Sequence, residues 1–294
     1  MSLVVEKRPL LSRKWAEQLF YGAAVLALVV ALMVLVTLLL DIFIDGSSRL
    51  GWDFLTGYPS RFPEKAGVLP ALTGSFCLIL LTALFAFPIG IAAAIYLEEY
   101  APQNRLTRII ELNIANLAGV PSIIYGLLGL QLFIRFFGFG RSLLAGAMTM
   151  ALLILPVIII TARESLRTVP RSLREASIAL GATKWQTIRH HVVPVAFPGI
   201  LTGCILATSR AIGETAPLIT IGALTYVAFL PDSIFSPFTA LPIQSFNWIS
   251  RPQTAFHANA AAAITVLLVV LLAMNAFAIW LRGRLEKKYK LSRL

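Results

Sequence analysis

The sequence predicts an all-α polytopic membrane protein with six transmembrane helices, and three observations lead to this class. Of the 294 residues, 58% are hydrophobic and only 13% are charged, whereas about 25% of residues in soluble domains are charged. Six uncharged runs reach the length of about 20 apolar residues that a helix needs to cross a bilayer core. Lys and Arg are concentrated in alternate connections between these runs, as in membrane proteins whose cytoplasmic loops are rich in basic residues.

The predicted spans follow one another with short connections and without a visible repeat or low-complexity linker, so we expect one membrane domain. The first run is longer than the roughly 7–15 residues of a signal-peptide core, and no small-residue cleavage site follows it. Pro88, Pro121 and Pro156 lie inside the second, third and fourth runs, where each removes a backbone donor and favours a bend. The six spans are 19–40, 66–97, 112–134, 142–162, one span within 192–230, and 258–281.

The distribution of basic residues distinguishes six spans from seven. With six spans and the N-terminus in the cytoplasm, the inner segments contain eighteen Lys and Arg residues, the outer segments contain six, and Arg210 remains inside the fifth run. Dividing the fifth run into two spans would move the basic C-terminal tail outside, against the positive-inside rule. We therefore expect a cytoplasmic tail at 1–18, a six-span domain at 19–281 and a basic cytoplasmic tail at 282–294. The net charge of +11 then reflects topology and does not support a nucleic-acid partner.

The longest inner connection, 163–194, is predicted to form two short helices joined at a glycine, and we call it the elbow. Pro170 suits the first turn of a helix, and Gly181 stands where a left-handed C-terminal cap would end that helix. A second short helix from Thr183 leads to Pro194 at the membrane. The composition of the elbow alone is also typical of an amphipathic hairpin that rests on anionic lipid headgroups.

The elbow resembles the EAA loop of ABC importer permeases. It contains Glu-Ala-Ser at 175–177, three further residues, a glycine, nine further residues, and His-Val-Val-Pro at 191–194, which keeps the spacing of the family pattern throughout. In that family the loop is the coupling helix that docks into a groove of the cytoplasmic ATPase. The resemblance therefore implies a role in ATPase coupling for Glu175, Ala176 and Gly181. Three residues depart from the pattern, namely Ser177, His191 and Val193.

Four further stretches resemble permease subunits of the bacterial high-affinity phosphate importer. The resemblance implies the MetI-like ABC permease fold, ATP-driven movement of inorganic phosphate across the bacterial inner membrane, and neither a catalytic role nor a cofactor for this chain. Besides the lipid bilayer, it implies a PstC-like permease subunit, cytoplasmic ATPase subunits, an external phosphate-binding protein and phosphate as partners. The stretches are LEEYAP at 97–102, NLAGVPSIIYGLLG at 116–129, LLILPVIIITARESLRTVP at 152–170 and RAIGETAPL at 210–218.

Arg210 and Glu214 carry opposite charges inside the run 192–230, which contains no other charged residue. A charged group at the bilayer centre costs at least ~2.5–3.5 kcal/mol on insertion scales and usually marks a pathway. The planar guanidinium of arginine stays protonated and binds two oxygens of an oxyanion at once. Glu214 lies one helical turn further on, so both side chains are predicted to lie on one helix face. We predict that the pair lines a substrate pathway; the alternative is a structural ion pair that joins helices.

Two roles for Glu214 and several substrates remain open at this point. Glu214 either neutralises Arg210 while the pathway is empty or accepts a hydrogen bond from the proton that phosphate carries and sulfate lacks. The same pair would serve a permease for another oxyanion, such as sulfate or molybdate, or a secondary anion carrier. A secondary carrier, however, has no need for the elbow.

No catalytic or metal site is predicted. The sequence contains no GxxxxGK[ST] phosphate loop, so ATP is expected to be hydrolysed by another chain, and it contains no HExxH zinc motif. His190 and His191 are adjacent and therefore diverge on a helix, which disfavours a shared metal ion. An intramembrane hydrolase would need Ser209 as its nucleophile. Cys77 and Cys204 lie in apolar runs and are expected to be small core residues.

Overall fold

The computed structural model describes residues 10–223 and 226–291, and every regular element in these ranges is helical. Residues 1–9 and 292–294 of the two predicted tails lie outside the described residues. The α-helices are α1 (Leu10–Ser47), α2 (Trp52–Thr56), α3 (Leu69–Ile95), α4 (Arg105–Ala118), α5 (Ser122–Gly129), α6 (Leu143–Arg167), α7 (Arg171–Ala179), α8 (Lys184–Thr187), α9 (Val193–Gly213), α10 (Ala216–Thr220), α11 (Leu241–Ile249) and α12 (Ala255–Leu291).

Three π-helical turns and one 3₁₀ turn, Pro63–Lys65, complete the helical elements of the described chain. A π-helical turn takes one more residue per hydrogen-bonded loop than an α-helical turn and is therefore wider. The first follows α3, the second follows α5, and the third joins α8 to α9. They are Tyr96–Tyr100, Leu130–Phe136 and Ile188–Val192.

The predicted number of membrane spans is confirmed in the described residues when one bent helix pair is counted as a span. Five stretches are long and apolar enough to cross a membrane, and the bent pair passes the same test. The fifth predicted run contributes one stretch, which ends at Gly213, as expected for a single crossing. The five stretches are Glu17–Ser47, Leu69–Tyr100, Leu143–Arg167, Lys184–Gly213 and Ala255–Arg284.

The third predicted span, 112–134, is bent near Pro121 as expected, but the bend divides it into two helices, of which the first begins earlier than predicted. α4 begins earlier, at Arg105, because the side chain of Asn104 caps its N-terminus by accepting a hydrogen bond from the Thr107 amide at 2.9 Å. After α4 the chain turns by 103° before α5. Pro121 lies at this turn. Proline has no amide hydrogen to donate and keeps the preceding residue out of the helical conformation.

α6 is the central helix of the bundle. Of the most apolar window in the fourth span, 72% is buried inside the chain, against 0% for the first span. α3 and α9 both approach α6 at glycines: a Cβ on Gly90 would lie 2.6 Å from Cγ2 of Ile158, and one on Gly203 would lie 2.2 Å from Oγ1 of Thr161. Small residues permit such close helix packing in membranes, where dispersion contacts hold helices together. The rigid centre of the molecule is therefore formed by the second, fourth and fifth spans.

α1 contacts the bundle at its C-terminal end and leaves most of its length exposed. At Gly46 a Cβ would lie 2.7 Å from the backbone nitrogen of Ala262 in α12. Just beyond the helix, Arg49 donates a hydrogen bond of 2.6 Å to Oδ1 of Asn259 and one of 3.1 Å to the Ala66 carbonyl oxygen. These bonds fix the loop after α1 to the beginning of α12, at the end of the bundle opposite the elbow.

Candidate functional site

Arg210 and Glu214 lie where the fifth span ends. α9 stops at Gly213, and Glu214 has an extended backbone with φ −78° and ψ 119°. The prediction that both residues occupy one helix face was therefore wrong, because Glu214 lies outside the helix. The pair nevertheless forms, since Nε of Arg210 lies 3.5 Å from Oε1 of Glu214. The arginine side chain is 52% exposed and the glutamate side chain 21% exposed in this chain.

The contact between the two side chains is long and single. A two-pronged arginine–carboxylate pair uses two guanidinium nitrogens at about 2.7–2.9 Å, whereas here the described residues engage only Nε of Arg210. Within the described part of the chain, both terminal Nη nitrogens are therefore without a hydrogen-bond acceptor. With these two nitrogens available, Arg210 can bind a further anion without first breaking a strong ion pair.

The segment that directly follows Arg210 and Glu214 packs on the break in the third span. The hydroxyl group of Tyr125 in α5 donates a 2.8 Å hydrogen bond to the Leu117 carbonyl oxygen before the break. α10 packs closely on α5, because a Cβ on Gly126 would lie 2.7 Å from Cα of Pro217. The break in the third span thus lies against the segment that follows the end of the fifth span. Irregular backbone at membrane depth is tolerated where protein buries it or where it lines a cavity.

Ser209 does not form a nucleophile–base arrangement. Its hydroxyl group donates a 2.8 Å hydrogen bond to Oδ1 of Asn275 in α12, and an amide oxygen is not a base. His190 is exposed, with Nδ1 3.1 Å from the Gln186 carbonyl oxygen of its own helix. In the ranges that the structure describes, no group of three or more His, Cys, Asp or Glu residues is arranged to hold a metal ion.

The elbow has the predicted helix–glycine–helix form. Pro170 directly precedes α7, and Gly181 has the left-handed φ of +87° that was predicted for the cap. The amide of Ala182 donates to the Ser177 carbonyl oxygen at 3.2 Å, which closes the end of α7. Thr183 and Gln186 form a capping box at the start of α8. The second arm is not a separate helix, however, since Lys184–Gly213 runs on as one helical stretch into the fifth span.

The structure accounts for two of the three departures from the EAA pattern. Ser177 is buried, and its hydroxyl oxygen lies 2.9 Å from that of Thr187, so the two arms of the elbow are joined by a hydrogen bond. His191 is exposed, whereas its neighbour Val192 and the preceding Ile188 are buried. The histidine therefore does not disturb the packing of the second arm, which uses the other two side chains.

The tip of the elbow presents the coupling residues on an apolar surface. Glu175, Ala176 and Gly181 are all exposed. Around them, Leu180 is 90% exposed, and two further large apolar side chains are each 55% exposed. These side chains are Ile178 and Trp185. An exposed apolar cluster of this kind marks a surface that contacts a protein or a membrane.

Sequence reasoning did not anticipate how the elbow is attached to the bundle. Arg174 of α7 forms a two-pronged ion pair with Glu99, whose Oε1 lies 2.7 Å from Nη2 and 3.1 Å from Nε. Glu98 and Glu99 belong to the π-helical turn after α3, within a stretch that the sequence analysis used only as part of a resemblance. The sequence did contain a signal for this contact. Two acidic residues stand at the end of an apolar span, on the side of the membrane where the predicted connections are rich in basic residues.

Comparison with known proteins gives a consistent picture. Residues 86–291 match the model of the family described as binding-protein-dependent transport system inner membrane component. The chain is 32% identical over 292 residues to the probable ABC transporter permease protein YqgI of Bacillus subtilis, covering 95% of this chain and 99% of that protein.

Two further relatives are named phosphate transport system permease proteins. The chain is 36% identical to PstA 1 of Mycobacterium tuberculosis, covering 86% of this chain and 84% of that protein. It is 33% identical to PstA of Haemophilus influenzae, covering 90% and 93% respectively.

Solved ABC transporters share the fold at low sequence identity. A chain of the MetNI methionine transporter is 19% identical with a TM-score of 0.59, covering 72% of this chain and 94% of that chain. A chain of a bacterial alginate transporter is 16% identical with a TM-score of 0.65, covering 92% and 96%. The helical arrangement is thus that of ABC importer permeases.

Proposed function

Because this chain belongs to the family of binding-protein-dependent transport system inner membrane components, we propose that it is the permease subunit through which an ATP-driven importer moves inorganic phosphate across the bacterial inner membrane. Two relatives that are 36% and 33% identical over most of this chain carry the name of phosphate transport permeases. The observation that carries the proposal is the incompletely paired Arg210 near the end of the fifth span, just before the segment that packs on the break in the third span. Members of this family are non-catalytic membrane components, so ATP hydrolysis belongs to another subunit.

The chemistry of Arg210 suits phosphate. At neutral pH phosphate is a mixture of mono- and dianion with several acceptor oxygens, and the free Nη nitrogens can donate to two of them at once. Glu214 holds the guanidinium through Nε at 3.5 Å, which leaves those nitrogens available. Its carboxylate balances the arginine charge in the empty pathway or accepts a hydrogen bond from the proton of the phosphate.

The elbow is the proposed docking point of the ATPase. Glu175, Ala176 and Gly181 surround an exposed apolar tip that has no cover within the described chain. The spacing of the EAA pattern, which this chain keeps from Glu175 to Pro194, favours a protein groove over a lipid surface as the cover of this tip. The complete importer would also contain a PstC-like permease subunit and an external phosphate-binding protein.

Reconstitution tests the function directly. The chain is co-expressed with a PstC-like permease and ATPase subunits, purified, and placed in proteoliposomes that receive a phosphate-binding protein. We expect ATP-dependent uptake of radioactive phosphate, with sulfate and molybdate transported poorly. Preferential uptake of sulfate or molybdate would reassign the substrate, and phosphate uptake by the chain without ATPase subunits would identify a secondary carrier instead.

The proposed orientation places both termini and the elbow in the cytoplasm. A background without Cys77 and Cys204 allows single cysteines to be labelled from either side of the membrane. Ser172, exposed in the elbow, and Ser233, exposed in the loop before α11, lie on opposite sides in this orientation. Cysteine at 172 should react only from the cytoplasm and cysteine at 233 only from outside; the reverse pattern would invert the topology.

A further inference from the structure

The π-helical turn Tyr96–Tyr100 ends the second span, and its side chains contact the elbow and α6. We call it the acidic turn because it contains Glu98 and Glu99. A π-helical turn is a local departure from regular helix and frequently occurs at functional sites. The proposed function assigns no role to this turn.

Glu99 holds the first arm of the elbow. Its Oε1 accepts hydrogen bonds from Nη2 of Arg174 at 2.7 Å and from Nε at 3.1 Å. The same guanidinium also donates to the carbonyl oxygens of Val169 at 2.6 Å and Leu166 at 3.0 Å, at the end of the fourth span. The side chains of Glu99 and Arg174 are only 9% and 20% exposed. α7 therefore cannot move relative to α3 without stretching a buried, two-pronged ion pair.

Two other residues of the acidic turn, Glu98 and Tyr100, contact α6 and the second arm of the elbow. Oε2 of Glu98 lies 3.0 Å from Nε of Arg167 and 3.4 Å from Nη2 of Arg163, both in α6. Arg163 in turn reaches Glu111 of α4 at 2.8 Å. The ammonium group of Lys184, at the start of α8, lies over the Tyr100 ring at 4.9 Å from the ring centroid. One turn thus contacts both arms of the elbow and the end of α6, and reaches α4 through Arg163.

We propose that Glu99 and Arg174 are positioning residues that transmit movement of the elbow to the second span. The proposal rests on the proposed coupling function of the elbow. A displacement imposed on the exposed tip reaches Arg174 within one turn of α7. The two-pronged bond fixes both distance and orientation between α7 and the acidic turn, so α3 must follow. A single flexible contact would let the elbow move alone, and ATP would then be hydrolysed without transport.

The test measures uptake per ATP hydrolysed in the reconstituted importer. Arg174→Lys keeps the charge and loses the two-pronged geometry, and Glu99→Gln removes the charge of the acceptor. Networks of this kind change coupling by amounts that correspond to about two- to thirtyfold, so we expect uptake per ATP to fall by a factor in that range in each variant. ATP hydrolysis stimulated by the binding protein should remain. The matched control is Arg171→Lys, an exposed arginine on the same helix, which should leave the ratio unchanged.

The double variant Glu99→Gln with Arg174→Lys sharpens the result. If the two residues act through each other, its loss should be smaller than the product of the two single losses. An unchanged ratio of uptake to ATP hydrolysis in both single variants overturns the proposal. So does a parallel fall of hydrolysis and uptake, or failure of Arg174→Lys to assemble, since either result indicates a purely structural pair. Absence of ATP-dependent uptake in the unmodified complex would instead overturn the proposed function.

Discussion

Two of the arginine–glutamate pairs of this molecule, Arg174–Glu99 and Arg210–Glu214, are built in opposite ways. Arg174 and Glu99 form a two-pronged pair with a shortest distance of 2.7 Å, and both side chains are largely buried. Arg210 and Glu214 share one contact of 3.5 Å, and the arginine side chain is half exposed. The first pair joins residues far apart in the sequence, whereas the second joins residues four apart.

The difference shows which pair is suited to a ligand. A guanidinium whose nitrogens are already bonded must give up those bonds before it binds an anion, and partial burial makes that loss expensive. Arg174 is in this position, because it also donates to two carbonyl oxygens. Arg210 keeps both Nη nitrogens available within the described chain. Incomplete pairing together with position in the fifth span, rather than charge alone, is therefore the basis for proposing Arg210 as a pathway residue.

The largest expected effect is that of replacing Arg210 and Glu214 together. Arg210→Met with Glu214→Leu removes both charges, and a purely structural pair tolerates such an apolar double replacement well. We expect the complex to assemble and phosphate uptake to fall about 10- to 100-fold, because a hydrogen bond to a charged group contributes ~1.5–3 kcal/mol. Arg135→Met is the control, since Arg135 also has a single side-chain contact four residues away. Uptake at the wild-type level by the double variant would show that the pair is scaffold.

Gly181→Asp tests the elbow without touching either pair. The φ of +87° at Gly181 makes a side chain unfavourable by about 1 kcal/mol or more, although a Cβ there would meet nothing within 4 Å. We expect normal insertion, weaker co-purification of the ATPase and loss of uptake. Gly181→Asn is the control for backbone strain, because asparagine tolerates this conformation. If Gly181→Asp retains both uptake and the ATPase, the elbow is a lipid-surface hairpin.

Arg210→Lys is expected to reduce uptake by an intermediate amount, and it tests whether the two pairs respond differently to the same substitution. Lysine keeps the charge but has no planar, two-pronged geometry, so we expect uptake to fall by about fivefold, which corresponds to ~1 kcal/mol of lost hydrogen bonding. Hydrolysis of ATP should fall in proportion, unlike in Arg174→Lys, where we expect hydrolysis to continue. Glu214→Gln should be milder if Glu214 only balances charge, and should reduce the preference for phosphate over sulfate if it reads the phosphate proton. Parallel responses of the two lysine variants would remove the distinction between the pairs.

The smallest effect is expected for Ser177→Ala, which restores the alanine of the EAA pattern. The variant loses the hydrogen bond to Thr187 and leaves that hydroxyl group unpartnered, at a cost of about 1 kcal/mol. Thermal unfolding of the purified complex should shift down slightly, while uptake stays within about twofold. Combining it with Thr187→Val should recover most of the stability. A large loss of uptake would mean that the bond between the arms contributes to coupling.

Local features of the structure were predictable from the sequence. Hydropathy identified the spans, because apolar length is what a bilayer selects. The elbow followed from Pro170, Gly181 and Thr183, each of which acts on the backbone within a few residues. The same reasoning located both charged residues of the candidate pathway.

Features that depend on neighbours distant in the sequence were not predictable. Pro88 and Pro156 lie inside continuous helices, whereas Pro121 accompanies a 103° turn, and the sequence treats all three alike. At the Pro121 turn, α10 packs closely on α5. The position of Glu214 outside α9 and the pairing of Glu99 with Arg174 likewise depend on tertiary packing.

The continuity of Lys184–Gly213 gives the fifth span the mechanics of a lever. At a rise of 1.5 Å per residue, the helix from Lys184 to Arg210 is about 40 Å long. A tilt of about 5° at the elbow end therefore displaces Arg210 by about 3.5 Å, by simple geometry on that length. This displacement equals the distance between Arg210 and Glu214. Because Glu214 directly follows the same helix, a rotation too small to alter the outline of the bundle is thus enough to move both residues of the pair together relative to the third span.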